Sequence, residues 1–134
     1  MGGPVPLELK LLMAAVIVGF TQLMWAAAAA RGQQDLKWAA GPRDQPKPVQ
    51  GVAARLQRAF WNFVETFPLF AAAVLAAAAA GRLGQPLTVW GSALYVVCRA
   101  VYVPLYASGV PMVRSLVWIA SIIGLGMVVW AVLG

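Results

Sequence analysis

The sequence predicts an all-α integral membrane protein, a single domain over residues 1–134 built as a bundle of four transmembrane helices. Its hydrophobic fraction is 62% and its charged fraction only 10%, whereas a soluble domain usually has about 25% charged residues. Apolar tracts recur along the chain, and a transmembrane helix needs roughly 20 apolar residues. The tracts do not alternate polar and apolar residues, which excludes a membrane β-barrel.

The elements follow from the apolar tracts and from the residues that interrupt them. The predicted helices are about 7–30, 52–80, 87–107 and 112–133, with one long loop at about 31–51. Glycines and prolines crowd that loop, which argues against a helix there. Pro68 falls inside the second helix and predicts a bend, because it removes a backbone donor. Gly81 follows the second helix as a stop signal.

Composition excludes several classes of site. Cys98 is the only cysteine, so an intrachain disulfide is excluded. The absence of histidine excludes His-ligated haem and argues against a zinc site. The net charge of +6 does not indicate nucleic-acid binding, because the basic residues are scattered and several lie inside apolar tracts. The surplus positive charge is better explained by membrane topology.

Loop charge predicts the orientation in the membrane. The basic residues of the first loop are Arg31, Lys37, Arg43 and Lys47. The opposite side has only Lys10 and Arg82. Because positive residues concentrate in cytoplasmic loops, the first and third loops are expected in the cytoplasm and both termini outside.

Charged residues inside the apolar tracts are the strongest indication of function, because each is costly in a membrane. The second helix has a polar series at Arg55, Arg58, Asn62 and Glu65. The third helix has another at Tyr95, Arg99, Tyr102 and Tyr106. Steps of three and four residues place each series on one face of its helix. Arg114 begins the fourth helix on the same side of the membrane, so the three helices are expected to form a cationic pocket in the cytoplasmic half.

A purely structural explanation remains open, in which Glu65 pairs with Arg99 or Arg58 to hold the helices together. Four arginines against one carboxylate nevertheless leave positive charge without a partner. Buried unpaired charge calls for an anionic ligand.

These same residues carry a resemblance to a known family. Residues 55–70, RLQRAFWNFVETFPLF, resemble the second-helix signature of the MAPEG family, the membrane-associated proteins in eicosanoid and glutathione metabolism. Residues 99–106, RAVYVPLY, with Arg114 and Ser115 after the turn, are a second match, and residues 41–44, GPRD, resemble small bacterial members. One departure is Ala54, where many members have an acidic residue.

The resemblance implies a homotrimer in a bacterial inner membrane that binds glutathione as cosubstrate between neighbouring subunits. The residues implied in binding are Arg55, Arg58, Asn62, Glu65, Arg99, Tyr102 and Tyr106. Arg114 matches the arginine that steadies the thiolate in catalytic members. The expected activity is a glutathione-dependent transferase or peroxidase whose second substrate, a lipophilic electrophile or hydroperoxide, arrives from the lipid.

Two alternatives stay open at this point. The first is a non-catalytic binding or structural membrane subunit that retains the fold, since the family includes a lipid-binding scaffold without enzyme activity. The second is a small multidrug exporter, which also has four helices and a key glutamate in the first. Glu8 stands at the very start of the first predicted helix, and several membrane arginines would repel cationic drugs.

Overall fold

The computed structural model describes residues 2–134. Its helices are α1 (Leu7–Arg31), α2 (Leu36–Ala40), α3 (Gly51–Ala79), α4 (Pro86–Ala107) and α5 (Pro111–Leu133). All but α2 are long and apolar enough to cross a membrane. The predicted class, an all-α membrane protein with four candidate spans, is therefore confirmed.

Two long-range contacts establish which helix ends lie together. At one end, the buried carboxylate of Glu8 accepts hydrogen bonds from the Gly84 N–H at 2.6 Å and the Thr88 hydroxyl at 2.7 Å. At the other end, Arg55 Nε donates to the Ala107 carbonyl at 2.9 Å. The start of α1 therefore lies beside the α3–α4 turn, and the long loop lies at the same end as the α4–α5 turn.

The core sits between α1, α3, α4 and α5 and is filled mainly by apolar side chains. Phe70 stacks on Tyr95 with ring centroids 4.1 Å apart, and the Tyr95 hydroxyl forms a 2.9 Å hydrogen bond with Thr66. Tyr95, which belongs to the polar series on the predicted third helix, is thus a fully buried packing residue. Burying its ring while satisfying its hydroxyl stabilises the α3–α4 contact.

Helices α4 and α5 approach closely at a pair of glycines. A Cβ added at Gly124 would lie 2.6 Å from the Gly91 carbonyl oxygen, and one at Gly91 would lie 2.7 Å from the Gly124 carbonyl oxygen. Small residues permit this backbone approach, which is a main source of helix association in lipid.

The loop between α1 and α3 is ordered by its own hydrogen bonds and contains α2, a short helix that the sequence analysis missed. Asp35 caps α2 by accepting from the Trp38 N–H at 3.2 Å and pairs with Lys47 at 3.2 Å. The hydrogen bond from the Lys47 ammonium holds the pKa of Asp35 below its ordinary value. Arg43 adopts a positive φ of 59° and donates to the Ala39 carbonyl. The loop therefore has a defined shape.

Candidate functional site

A pocket of about 450 Å³ opens between α3, α4 and α5 in the half of the bundle that contains the long loop. The side chains that define it chemically are Arg58, Asn62, Tyr102, Tyr106, Arg114 and Trp118. Its size lies within the range of small-molecule sites, about 300–1,000 Å³.

Tyr106 contacts two of the arginines. Arg58 Nε donates to the Tyr106 hydroxyl at 3.2 Å. The guanidinium carbon of Arg114 lies 4.4 Å from the centroid of the same ring, a distance at which a cation is attracted to the aromatic face. Residues from three helices thus meet at one tyrosine, and two positive charges are held at the pocket wall.

Arg99 adds a third positive charge behind this wall. It is only 1% exposed, and none of its three guanidinium nitrogens has a hydrogen-bond partner within residues 2–134. Its guanidinium carbon lies 4.3 Å from the Tyr102 ring centroid and 5.9 Å from that of Phe63. Since Tyr102 itself lines the pocket, Arg99 contacts a residue of the pocket wall. A buried guanidinium without a partner is costly unless something anionic meets it.

Two further polar atoms in the pocket are buried without partners in the described chain. They are Oδ1 of Asn62, an acceptor, and Nε1 of Trp118, a donor. The sequence analysis did not identify Trp118. It follows Arg114 by four residues, so the spacing rule that was applied to the other helices would have placed it on the same face.

Not every residue of the predicted set comes to the pocket. Arg55 shares a helix face with Arg58 but donates a hydrogen bond to the Ala107 carbonyl at the end of α4. Glu65 is exposed on α3 and does not line the pocket. Ser115 lines the pocket, with its hydroxyl bonded to the Pro111 carbonyl at 3.1 Å. Cys98 is partly buried and does not line the pocket.

The charges of the site are not balanced within the described chain. The one salt bridge found over residues 2–134 is Lys47–Asp35, which lies in the long loop. The structural alternative, in which Glu65 pairs with Arg99 or Arg58, is not found among residues 2–134. No carboxylate lines the pocket, and no cluster of three or more potential metal ligands occurs among the described residues. The arrangement is therefore suited to binding an anion.

Fold and site together define a class: a helical membrane protein with an arginine-rich pocket at one end of its bundle. Within that class, the chain matches the MAPEG family model over residues 11–134 and belongs to the MAPEG family. The family consists of membrane proteins of eicosanoid and glutathione metabolism. No curated protein matches the chain.

Membership of the MAPEG family argues against the alternative that the chain is a small multidrug exporter. The structure also gives Glu8 a different role from that of an exporter glutamate. Its carboxylate accepts two hydrogen bonds at the start of α4, where the helix dipole favours a negative charge. Glu8 therefore fastens α1 to the beginning of α4.

Proposed function

We propose that the protein is a glutathione-dependent membrane transferase or peroxidase that acts on lipophilic electrophiles or hydroperoxides. The observation that carries this proposal is the uncompensated positive charge of Arg58, Arg99 and Arg114 around one pocket of a MAPEG-family chain. A site with this charge requires an anionic ligand, and the family is one that generally uses glutathione.

The chemistry of glutathione complements the pocket. The tripeptide has two carboxylates and one ammonium group, and arginine binds carboxylates through paired hydrogen bonds. Arg58 and Arg99 are the proposed carboxylate ligands, with Asn62, Tyr102 and Tyr106 as neutral partners. Glu65 lies outside the pocket on the exposed face of α3 and is the proposed partner for the ammonium group of a glutathione bound between neighbouring subunits. Arg55 belongs to the proposed site through its position on the same helix face, and its bond to Ala107 gives it a supporting role.

Arg114 is the proposed catalytic residue. It lies at the start of α5, closer to the membrane surface than Arg99, and its guanidinium faces the pocket beside Tyr106. A nearby guanidinium lowers the pKa of a thiol, and the thiolate is the nucleophile. In the transferase reaction the bound thiolate would attack the electrophilic carbon of a lipophile, so that a carbon–sulfur bond forms as the bond to the leaving group breaks. In the peroxidase reaction it would attack the hydroperoxide oxygen, breaking the O–O bond to give an alkoxide, which takes up a proton, and a glutathione sulfenic acid, which a second glutathione converts to the disulfide and water. In both, the protein supplies orientation and charge stabilisation.

The proposed assembly is a homotrimer in a bacterial inner membrane, with the α1–α3 loop and the α4–α5 turn in the cytoplasm. Exposure of Arg58 and Glu65 on the membrane-spanning helix α3 supports this assembly. Charged groups facing lipid are costly, so a neighbouring copy is expected to cover them.

Calorimetric titration of glutathione into the detergent-purified protein tests the proposal. Saturable binding of glutathione, with the dimethyl ester of the tripeptide binding much more weakly, is expected because the ester lacks both carboxylates. Equal binding of the two would contradict it. Binding without turnover of any lipophilic electrophile or hydroperoxide would favour the alternative, a non-catalytic binding subunit.

A further inference from the structure

A second cavity, of about 270 Å³, lies between α1 and α4 and shares no lining residue with the arginine pocket. Its outer rim includes Ile17 and Trp25, which are 65% and 42% exposed. None of the described residues that line it is charged. An opening bordered by exposed apolar residues on two membrane-spanning helices communicates with lipid rather than with water.

The inner wall of this cavity holds a polar group without a partner. Gln22 lines the cavity and is only 1% exposed, and both its Oε1 and its Nε2 lack a hydrogen-bond partner within residues 2–134. It precedes the end of α1 by nine residues, or about 14 Å at 1.5 Å per residue. At that depth water does not compensate an unsatisfied amide, which makes the group costly.

The α4 wall of the cavity contains a proline. Pro104 and Ala100 both border it, and Pro104 has no N–H to donate to the carbonyl four residues earlier, which is that of Ala100. Thr21 adds a hydroxyl near the opening. The cavity thus combines apolar walls with a small set of neutral donors and acceptors, the usual composition of a site for a lipophilic ligand.

We propose that this cavity binds an uncharged lipophile from the bilayer, one with a hydroxyl or carbonyl group that hydrogen-bonds to Gln22. A charged headgroup is disfavoured because no counter-charge lines the cavity. The volume lies below the usual range of about 300–1,000 Å³, so the cavity takes one slim chain end and not a complete diacyl lipid. The rest of the chain extends past Ile17 and Trp25 into the membrane.

Photolabelling of the full-length protein in lipid nanodiscs tests the proposal, with dodecanol carrying a diazirine near its hydroxyl as the probe. Labelling is expected to be saturable and to map to α1 and α4 around Gln22. Unlabelled dodecanol should compete, whereas dodecane should compete much less because it offers no hydrogen bond. Equal competition by the two, or labelling that maps elsewhere, would overturn the proposal.

Three variants sharpen the test. Gln22→Leu should reduce labelling about two- to tenfold, the loss expected for one neutral hydrogen bond. Thr21→Phe should block the opening from an exposed position. Met24→Phe, on the exposed lipid-facing side of the same helix and outside the cavity, should label like the parent. Unchanged labelling of both Gln22→Leu and Thr21→Phe would overturn the proposal.

Thermal unfolding separates a ligand site from a structural one. If the Gln22 amide has no hydrogen-bond partner until a ligand binds, Gln22→Leu should raise the Tm of the ligand-free protein, because it removes a buried unsatisfied amide. If Gln22 is instead bonded within the native assembly, the same change should lower the Tm, and the proposal fails. None of these measurements uses glutathione, so they succeed or fail independently of the proposed transferase activity.

Discussion

Arg99 is the residue at which stability and function are most clearly opposed. Its guanidinium is almost completely buried and has no hydrogen-bond partner in the described chain. Two aromatic rings offer only weak compensation for the loss of water. If this side chain served packing alone, an apolar side chain of similar length would make the protein more stable. The cost therefore indicates a site prepared for an anion.

Replacing Arg99 with methionine should accordingly have two opposite effects. The free energy of unfolding of the ligand-free protein should rise, because an uncompensated charge is removed. Glutathione binding should weaken by about 1.5–3 kcal/mol, the value of one charged hydrogen-bonded contact. Thermal unfolding and calorimetry measure the two effects, and Arg82→Met in the exposed α3–α4 turn is the matched control. A less stable variant with parental affinity would show that Arg99 is structural.

At the residue scale, spacing predicted which face a side chain occupies but not its partner. Arg58, Asn62 and Arg114 were expected near one pocket, and the structure places all three there. Arg55 lies on the same face of α3 as Arg58, yet it contacts Ala107 because α4 ends at that height. Periodicity contains no information on where a neighbouring helix terminates, so this contact was not predictable.

At the scale of elements, hydropathy was sufficient for the long helices and insufficient for α2. The apolar tracts persist over many turns, whereas α2 has only five residues and buries none of them. Its one local signal is Asp35, a good N-cap residue. The glycine contact between α4 and α5 also escaped sequence analysis, because it depends on two positions that are distant in the chain.

The glycine contact gives a prediction with an internal control. Gly124→Ala should destabilise the protein by about 1–3 kcal/mol, the usual cost of overpacking, because the added Cβ would collide with the Gly91 carbonyl. Gly126→Ala is the matched change, since a Cβ there meets nothing within 4 Å. Denaturation in detergent should therefore show a loss only for the first variant. Similar stability of the two variants would mean that α4 and α5 do not approach as closely as described.

At the scale of the whole molecule, the fold class and the family were predictable because both depend on patterns that span the chain. Orientation and assembly remain predictions, because they depend on the membrane and on neighbouring copies of the chain. Charge asymmetry and exposed polar groups are the physical grounds for both.

Orientation is tested by cysteine labelling in intact cells. In a Cys98→Ala background, a cysteine at Gln45 in the α1–α3 loop should resist a membrane-impermeant maleimide, because that loop is expected in the cytoplasm. A cysteine at Gln85, in the turn at the opposite end, should react readily. The reverse pattern would overturn the orientation.

Assembly is tested by native mass spectrometry in detergent. Three chains per particle are expected, since the charged groups exposed on α3 need a neighbouring copy to cover them. Substitution of Glu65 by leucine should preserve the trimer if that residue serves a ligand. A stable monomer with parental glutathione affinity would contradict the trimeric assembly.

The central claim is that this pocket binds glutathione and ionises its thiol, and the thiolate absorbance of glutathione mixed with the purified protein tests it most directly. Free glutathione should give little signal at neutral pH, because a free thiol with a pKa of about 8.5 is mostly protonated there. The parent protein should give the signal, because the Arg114 guanidinium is proposed to lower the pKa of the bound thiol. Arg114→Ala should bind glutathione nearly as well yet lose the signal, provided that it assembles like the parent. Saturated parent protein without a signal, or an equal signal from Arg114→Ala, would contradict the account.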